Sequence, residues 1–272
     1  SLNIPAVEAM SIAGIDNVIK TAHRMGITTL DQSLDHYGLS LTLGGGEVKL
    51  IDETYAYSVF ANNGTMFGAP VAENELRPNF RELNPISILR VEDRNGKILY
   101  EMTQPESRQI LEPRLAYLIT DILSDRQARI PALGTPNALE LANNRPAAAK
   151  TGTTNNFTDN WTVGYTPHLV VGVWQGNKDG DDFMINTSGE RGAAYIWHDF
   201  MLERYAGATP PPFVRPDGLS EVTVCAVSGQ APTDACTATR VLNVRRASRL
   251  RAFASWSRPP TPQPPSALVR AA

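Results

Sequence analysis

At 272 residues, 42% of them hydrophobic, the chain is long enough for one large domain or two modest ones with a substantial core. Its formal net charge of -3 excludes nucleic-acid binding driven by an overall positive field. No apolar run approaches the roughly 18–20 residues needed to span a bilayer, and residues 1–20 lack the basic start and apolar centre of a signal peptide. The opening Ser1-Leu2-Asn3-Ile4-Pro5, without a methionine, reads as the interior of a longer protein, so any export signal or anchor is expected upstream. His23, His36, His168 and His198 are scattered and follow no metal-binding spacing, so no metal site and no cofactor are expected. Cys225 and Cys236 suit either a disulfide in an oxidising compartment or two free thiols.

In chain order, Val7, Met10, Ile12, Ile15, Val18, Ile19 and Ala22 recur at mostly helical spacing. Pro5 suits a first helical turn, Gly14 separates two helices, and Asp16 is the candidate N-cap of the second. A helix is expected over Glu47 to Asn63, with Val48, Ile51, Tyr55 and Val59 on its apolar face and Gly64 as C-cap. Gly44-Gly45-Gly46 ahead of it is not a phosphate loop, because no Gly-Lys-Ser/Thr follows and Glu47 would repel phosphate. Residues 86–102 alternate apolar and polar residues around Asp93-Arg94-Asn95-Gly96, the chemistry of a β-hairpin turn.

Pro113 opens a helix with Leu115, Leu118, Ile119, Ile122 and Leu123 on its apolar side. From Ala147 to Gly176 three strands are expected, joined by an Asn/Asp loop at 155–160 and a turn at Thr166-Pro167-His168, and Ala193 to Tyr205 returns to helix. Helices on both sides of a largely antiparallel sheet give an α/β or α+β layered fold. Thr209-Pro210-Pro211-Pro212 begins a linker that leads to a short β-like stretch around the cysteines. The last segment carries Arg240, Arg245, Arg246, Arg249, Arg251, Arg258 and Arg270 without an acidic residue, together with PPTPQPP, and is expected to be disordered. Nucleic-acid or membrane-surface binding by this tail is the weaker reading.

The stretch AAAKTGTTNN carries the chemistry. On an edge strand, Lys150 supplies a fixed positive charge and Thr151 and Thr153 supply hydroxyl donors for a carboxylate. Gly152 removes the side chain where an extended peptide would add as a further strand. A backbone N–H near Thr153 suits half of an oxyanion hole. Lys-Thr-Gly alone arises by chance in roughly one chain of this length in thirty, so the tripeptide is a weak signal by itself.

Ser1-Leu2-Asn3, Lys150-Thr151-Gly152-Thr153, the stretch NWTVGYTPHLVVGVWQGN, FANNG and the Trp197–Met201 helix together closely resemble the transpeptidase domain of class A penicillin-binding proteins, over most of residues 1–207. The resemblance implies a β-lactamase/transpeptidase-like fold, with a five-stranded antiparallel sheet flanked by helices and incomplete at the N-terminus. It also implies an acyl-enzyme reaction that cross-links peptidoglycan stem peptides ending in D-alanyl-D-alanine, with β-lactams as ligands and no nucleic-acid partner. By the family pattern Ser1 relays protons, Asn3 holds the substrate amide and the catalytic lysine, and Lys150, Thr151 and Thr153 bind the terminal carboxylate. A capping role before Pro5 is the structural alternative for Ser1 and Asn3.

No serine in the chain is followed three residues later by lysine, so the nucleophile and its activating lysine are absent and this chain is expected to be inactive by itself. The resemblance places a glycosyltransferase domain and membrane anchor upstream, and the parent outside the cytoplasmic membrane. It makes a Cys225–Cys236 disulfide more attractive. The expected organisation is a partial transpeptidase domain at 1–207, a linker and small cysteine-bearing extension at 208–239, and the arginine-rich tail at 240–272. The competing functions are a D,D-carboxypeptidase or β-lactamase using water as acceptor, and a sensor that binds stem peptide or β-lactam without turnover.

Overall fold

Gly14, with φ +82°, divides the first apolar stretch into α1 (Asn3–Ala13) and α2 (Ile15–Met25) in the computed structural model, which describes residues 2–154, 157–178, 184 and 187–245. Its own backbone makes the join: Gly14 N–H donates to Met10 O and its carbonyl accepts from Val18 N. Gly14 is therefore the N-cap of α2, and Asp16, expected in that role, lies in the first turn and pairs with Lys20 at 2.6 Å. A carboxylate there complements the helix dipole without capping it.

After α3 (Leu34–Tyr37) and a 3-10 turn at Gly38–Leu43 comes α4 (Leu50–Ala61), which buries Asp52, Tyr55, Ala56 and Val59. The expected stripe is half right, since Ile51 is 57% exposed and Asp52 takes the inward position. Asp52 is tolerated there because it accepts from Thr28 N at 3.0 Å, Thr28 Oγ1 at 2.5 Å and Arg81 Nη1 at 2.8 Å. Past Asn62 at the helix end, Gly64 (φ +89°) donates to Val59 O at 2.7 Å. A Cβ on Gly64 would stand 2.2 Å from Leu111 O, so glycine is required there on two counts.

β1 (Thr65–Pro70) is flanked by β2 (Leu83–Asn84) and, further along the chain, β5 (Glu106–Gln109), both antiparallel to it. β3 (Arg90–Glu92) and β4 (Ile98–Glu101) form the expected hairpin, exposed on both faces. Its turn is closed by Asp93 Oδ1, which accepts from Asn95 N and Lys97 N. Ile19, Met25, Ile27, Tyr55, Val59, Met66 and Leu83 form the first core.

α5 (Pro113–Ser124) starts with proline as expected but buries Ala116 and Thr120, while Ile122 is 65% exposed. α6 (Arg126–Leu133), not anticipated from the sequence because Pro131 lies inside it, is capped by Asp125, whose side chain accepts from Ala128 N. The three expected strands are β6 (Ala148–Thr153), β7 (Asp159–Thr166) and β8 (Leu169–Gly176), antiparallel in the order β6-β7-β8. This sheet has three strands in the described residues, where the resemblance implies five. α7 (Ala193–Arg204) lays the fully buried Trp197 across Gly164, where a Cβ would come within 2.5 Å of the indole. Leu139, Leu141, Ala147, Ala149, Ala194 and Met201 complete the second core around Trp197.

The chain divides into two compact units, Ser1–Arg215 and Pro216–Ala272. In the second, β9 (Leu219–Cys225) pairs antiparallel with β10 (Thr239–Arg245), and Cys225 and Cys236 are disulfide-bonded with their Cα atoms 5.8 Å apart. Disorder was expected from residue 240, but Arg240–Arg245 belong to β10, because Val241, Leu242 and Val244 give the segment the β-forming residues a strand needs. Arg246, Arg249, Arg251, Arg258, Arg270 and PPTPQPP lie outside the described residues.

Asp52 yields an acid-stability prediction. Burial alone would raise its pKa, but the bonds from Thr28 and Arg81 outweigh burial and hold it below the ordinary 3.8. A depressed folded value contributes stability that is complete above 3.8 and lost as pH falls through the lower folded value. Asp52→Asn should cost about 3 kcal/mol at neutral pH by leaving Arg81 without its carboxylate. Urea unfolding from pH 6 down to pH 2 should show a difference from wild type that narrows towards the acid end.

Candidate functional site

Among the described residues β6 is the edge strand of its sheet, with β7 as its neighbour. Side chains alternate along it, so Ala148, Lys150 and Gly152 share one face and Ala149, Thr151 and Thr153 the other. Ala148 lies opposite Tyr165, whose hydroxyl bonds Thr120 of α5 at 2.9 Å, and Lys150 therefore projects to the side of α5. Ala149 lies opposite Gly164 beneath Trp197, so Thr151 and Thr153 project to the side of α7.

Lys150 is half-buried and its Nζ donates to Thr151 O at 2.7 Å. Burial, and secondarily the positive charge of Arg129, push its pKa below the ordinary lysine value. It is thus an ammonium held in place at the sheet edge that gives up its proton more readily than a surface lysine. Gly152 needs no absent side chain for the fold's sake: a Cβ there would make only an ordinary 3.4 Å contact with Trp161 Cβ. What a smooth strand offers here is access from outside the sheet.

On the opposite face Gly189 N–H donates to Thr153 Oγ1 at 2.9 Å, leaving the hydroxyl proton free to donate. A Cβ on Gly189 would sit 2.4 Å from Gly152 O, so the turn at 188–192 can press against the strand end only with glycine at that place. The turn is fixed further on by Asn160, fully buried, whose Oδ1 accepts from Ala193 N at 2.8 Å at the start of α7. Gly192 is constrained less rigidly, by side chains: its Cβ would meet Gln175 Oε1 at 2.4 Å, which can swing away, and Asn160 Oδ1 at 2.7 Å, which is buried and bonded. Asn160, Gly189 and Gly192 were not singled out as site residues from sequence. The available signal was two glycines in SGERGAA directly ahead of a helix.

The structure therefore gathers Lys150, Thr151, Gly152 and Thr153 on one strand. Asn3 is exposed at the start of α1, which packs against α2 and the Gly38–Leu43 turn. Among the described residues no hydrogen bond joins Asn3 to Lys150. Ser1 lies outside the described residues.

A layered helix-and-sheet domain with Lys-Thr-Gly on its edge strand is a fold shared with solved penicillin-binding proteins. No protein-family model matches the chain. Penicillin-binding protein 1A of Aquifex aeolicus is 33% identical over 201 residues, which is 74% of this chain and 24% of that protein. Among solved structures, PonA1 of Mycobacterium tuberculosis in complex with penicillin V aligns with a TM-score of 0.58 and 25% identity, over 74% of this chain and 52% of that one. Penicillin-binding protein 1A of Haemophilus influenzae shares the fold, with a TM-score of 0.65 at 19% identity over 88% of this chain and 38% of that one. Over most of its length the chain is a homologue of class A penicillin-binding proteins. It spans less than a third of the length of the first curated relatives it matches, 24% and 31%.

Asn160→Ala should remove the bond that fixes the start of α7 and cost about 1–2 kcal/mol. Hydrogen exchange should then show faster exchange at Ala193 N and Gly189 N, with little change in the β3–β4 hairpin.

Proposed function

We propose that the chain is the Lys-Thr-Gly-bearing part of a peptidoglycan D,D-transpeptidase. The observation that carries this reading is the edge strand, where a desolvated Lys150 stands beside a glycine whose bare backbone the fold itself does not require. A stem peptide ending in D-alanyl-D-alanine lies along β6 as an added strand. Its terminal carboxylate is held at the open edge of β6, which Lys150 reaches round from the α5 face and the hydroxyls of Thr151 and Thr153 from the α7 face, the second hydroxyl being aimed by the Gly189 N–H.

A serine oxygen supplied from outside this sequence attacks the penultimate carbonyl, and the developing oxyanion is stabilised by backbone N–H near Thr153. The C–N bond breaks, D-alanine leaves with a proton, and the acyl group passes from serine to an amine of a neighbouring stem peptide. In this scheme Ser1 relays the proton and Asn3 orients the substrate amide once the missing S-x-x-K segment is beside them. The chain alone is inactive. Its parent carries a glycosyltransferase domain and an anchor, works on the outer face of the cytoplasmic membrane, and is acylated by β-lactams. The homology to penicillin-binding proteins supports the family part of this reading, and the penicillin V complex of PonA1 supports β-lactam binding.

Intact-mass spectrometry after incubation with penicillin tests this, on the 272-residue chain and on a chain lengthened upstream to include an S-x-x-K motif. One covalent adduct on the longer chain and none on the shorter is expected. An adduct on the shorter chain would place a nucleophile within it, and none on either would favour a non-catalytic binder. Lys150→Ala in the longer chain should slow acylation roughly 100-fold by removing a preorganised charge. An unchanged rate would remove Lys150 from the reaction.

A further inference from the structure

Behind the start of β6 lies a cavity of about 200 Å³, separate in its lining from the Lys-Thr-Gly residues. Arg126, Arg129 and Arg145 line it, with Glu140 and Asn144 between them. The three arginines are not equivalent. Arg126 is neutralised, with Nη2 on Glu140 Oε2 at 3.0 Å and Nη1 on Asn144 Oδ1. Arg129 is only 7% exposed, yet it donates to the carbonyls of Leu139 and Leu123 and forms no ion pair with a carboxylate among the described residues. Arg145 makes no side-chain hydrogen bond or ion pair among the described residues, and its Nε is buried without a partner.

Removing a guanidinium from water is costly unless an anion and hydrogen bonds compensate it. The chain meets that demand at Arg81, which is paired with the buried Asp52 at 2.8 Å. A structural role at the end of α5 accounts for Arg129's bond to Leu123 O, because a cation favours a helix C-terminus. It does not account for the buried, unpartnered Nε of the part-exposed Arg145, nor for a second positive charge facing the same space.

We propose that this cavity binds a small oxyanion, held by the Arg145 guanidinium fork and by the charge of Arg129. The volume is below that of drug-sized pockets and suits an ion with its waters. Guanidinium forks pair with phosphate or carboxylate oxygens through two parallel N–H bonds, so both are of the right chemistry. Glu140 also lines the cavity and sets a limit: it repels a second anion near Arg126 and directs the ligand towards Arg145 and Arg129. Occupancy reaches the Lys-Thr-Gly strand as well. Arg129 helps to hold Lys150's pKa down, so an anion beside Arg129 moves Lys150 back towards the ordinary lysine value.

The test is thermal unfolding of the 272-residue chain at pH 7 and fixed ionic strength, with phosphate, acetate or chloride as the varied anion. A specific ligand near ten times its Kd should raise the midpoint by about 2–4 °C over chloride. A larger rise with phosphate identifies a phosphate site, and a larger rise with acetate a carboxylate site. Equal midpoints in all three overturn the proposal. Arg145→Gln should weaken binding by about tenfold or more and abolish the rise. A rise retained in Arg145→Gln also overturns it. Should that variant fail to fold, Glu140→Gln serves instead: it frees Arg126 and should enlarge the rise, and a diminished rise counts against the site.

Discussion

Backbone pressed on backbone, with no space for a Cβ between, sets the shape of the Lys-Thr-Gly region. Gly189 reaches Gly152 O so closely that only hydrogen fits, and, three residues on, Gly192 lies against side chains, the buried amide of Asn160 and the end of Gln175. From those two approaches the rest follows. Asn160 anchors the first turn of α7, α7 brings Trp197 down on Gly164, and Trp197 with Ala149 holds the edge strand flat against its neighbour. Thr153 is oriented by the same turn, through a bond between residues 36 apart in sequence. The edge strand is therefore positioned from the α7 side, while Lys150 looks to the α5 side and takes its electrostatic character there.

Two arginines, one part-buried and one buried, show two solutions to one problem. Arg81 faces a carboxylate that Thr28 also supports, so charge, donor and acceptor are all accounted for within the first core. Among the described residues Arg129 donates only to main-chain carbonyls and has Glu140 and Asp125 as nearby but unbonded carboxylates, and its field extends as far as Lys150. A charge bonded directly to its counter-ion acts as structure, whereas one balanced only across space also acts on its neighbours.

How much of this was legible in the sequence depended on distance along the chain. The hairpin at 90–101 was visible because Asp93 and Gly96 encode the turn locally, and β6 to β8 because short β-rich runs alternate with turn residues. Helix existence was read correctly for α4 and α5, and Tyr55 and Val59 as inward residues of α4, but the rest of the two inward faces was not. Periodicity sees Ile51 and Ile122 as core, while tertiary partners select Asp52 and Thr120. α6 escaped because a proline inside a helix reads as a break, although Asp125 caps the helix strongly enough to start it. The pairing of Cys225 with Cys236 had to be seen, since composition allowed either state. In the candidate site Lys150 to Thr153 announced themselves as a motif, whereas Gly189 and Asn160 acquire meaning only when folding sets them against it.

The exposed hairpin has a bearing on how the chain folds. Val91 and Tyr100 pair across a turn closed by Asp93, so this element can zip up on the microsecond scale by itself, although two exposed strands hold together only marginally. The strand end at Thr153 must instead wait for the 188–192 turn, across a loop whose closure carries a larger entropy cost. By these closure costs the local ribbon is expected to form ahead of the distant clasp, with the Thr153 end of β6 among the last parts to take its final form.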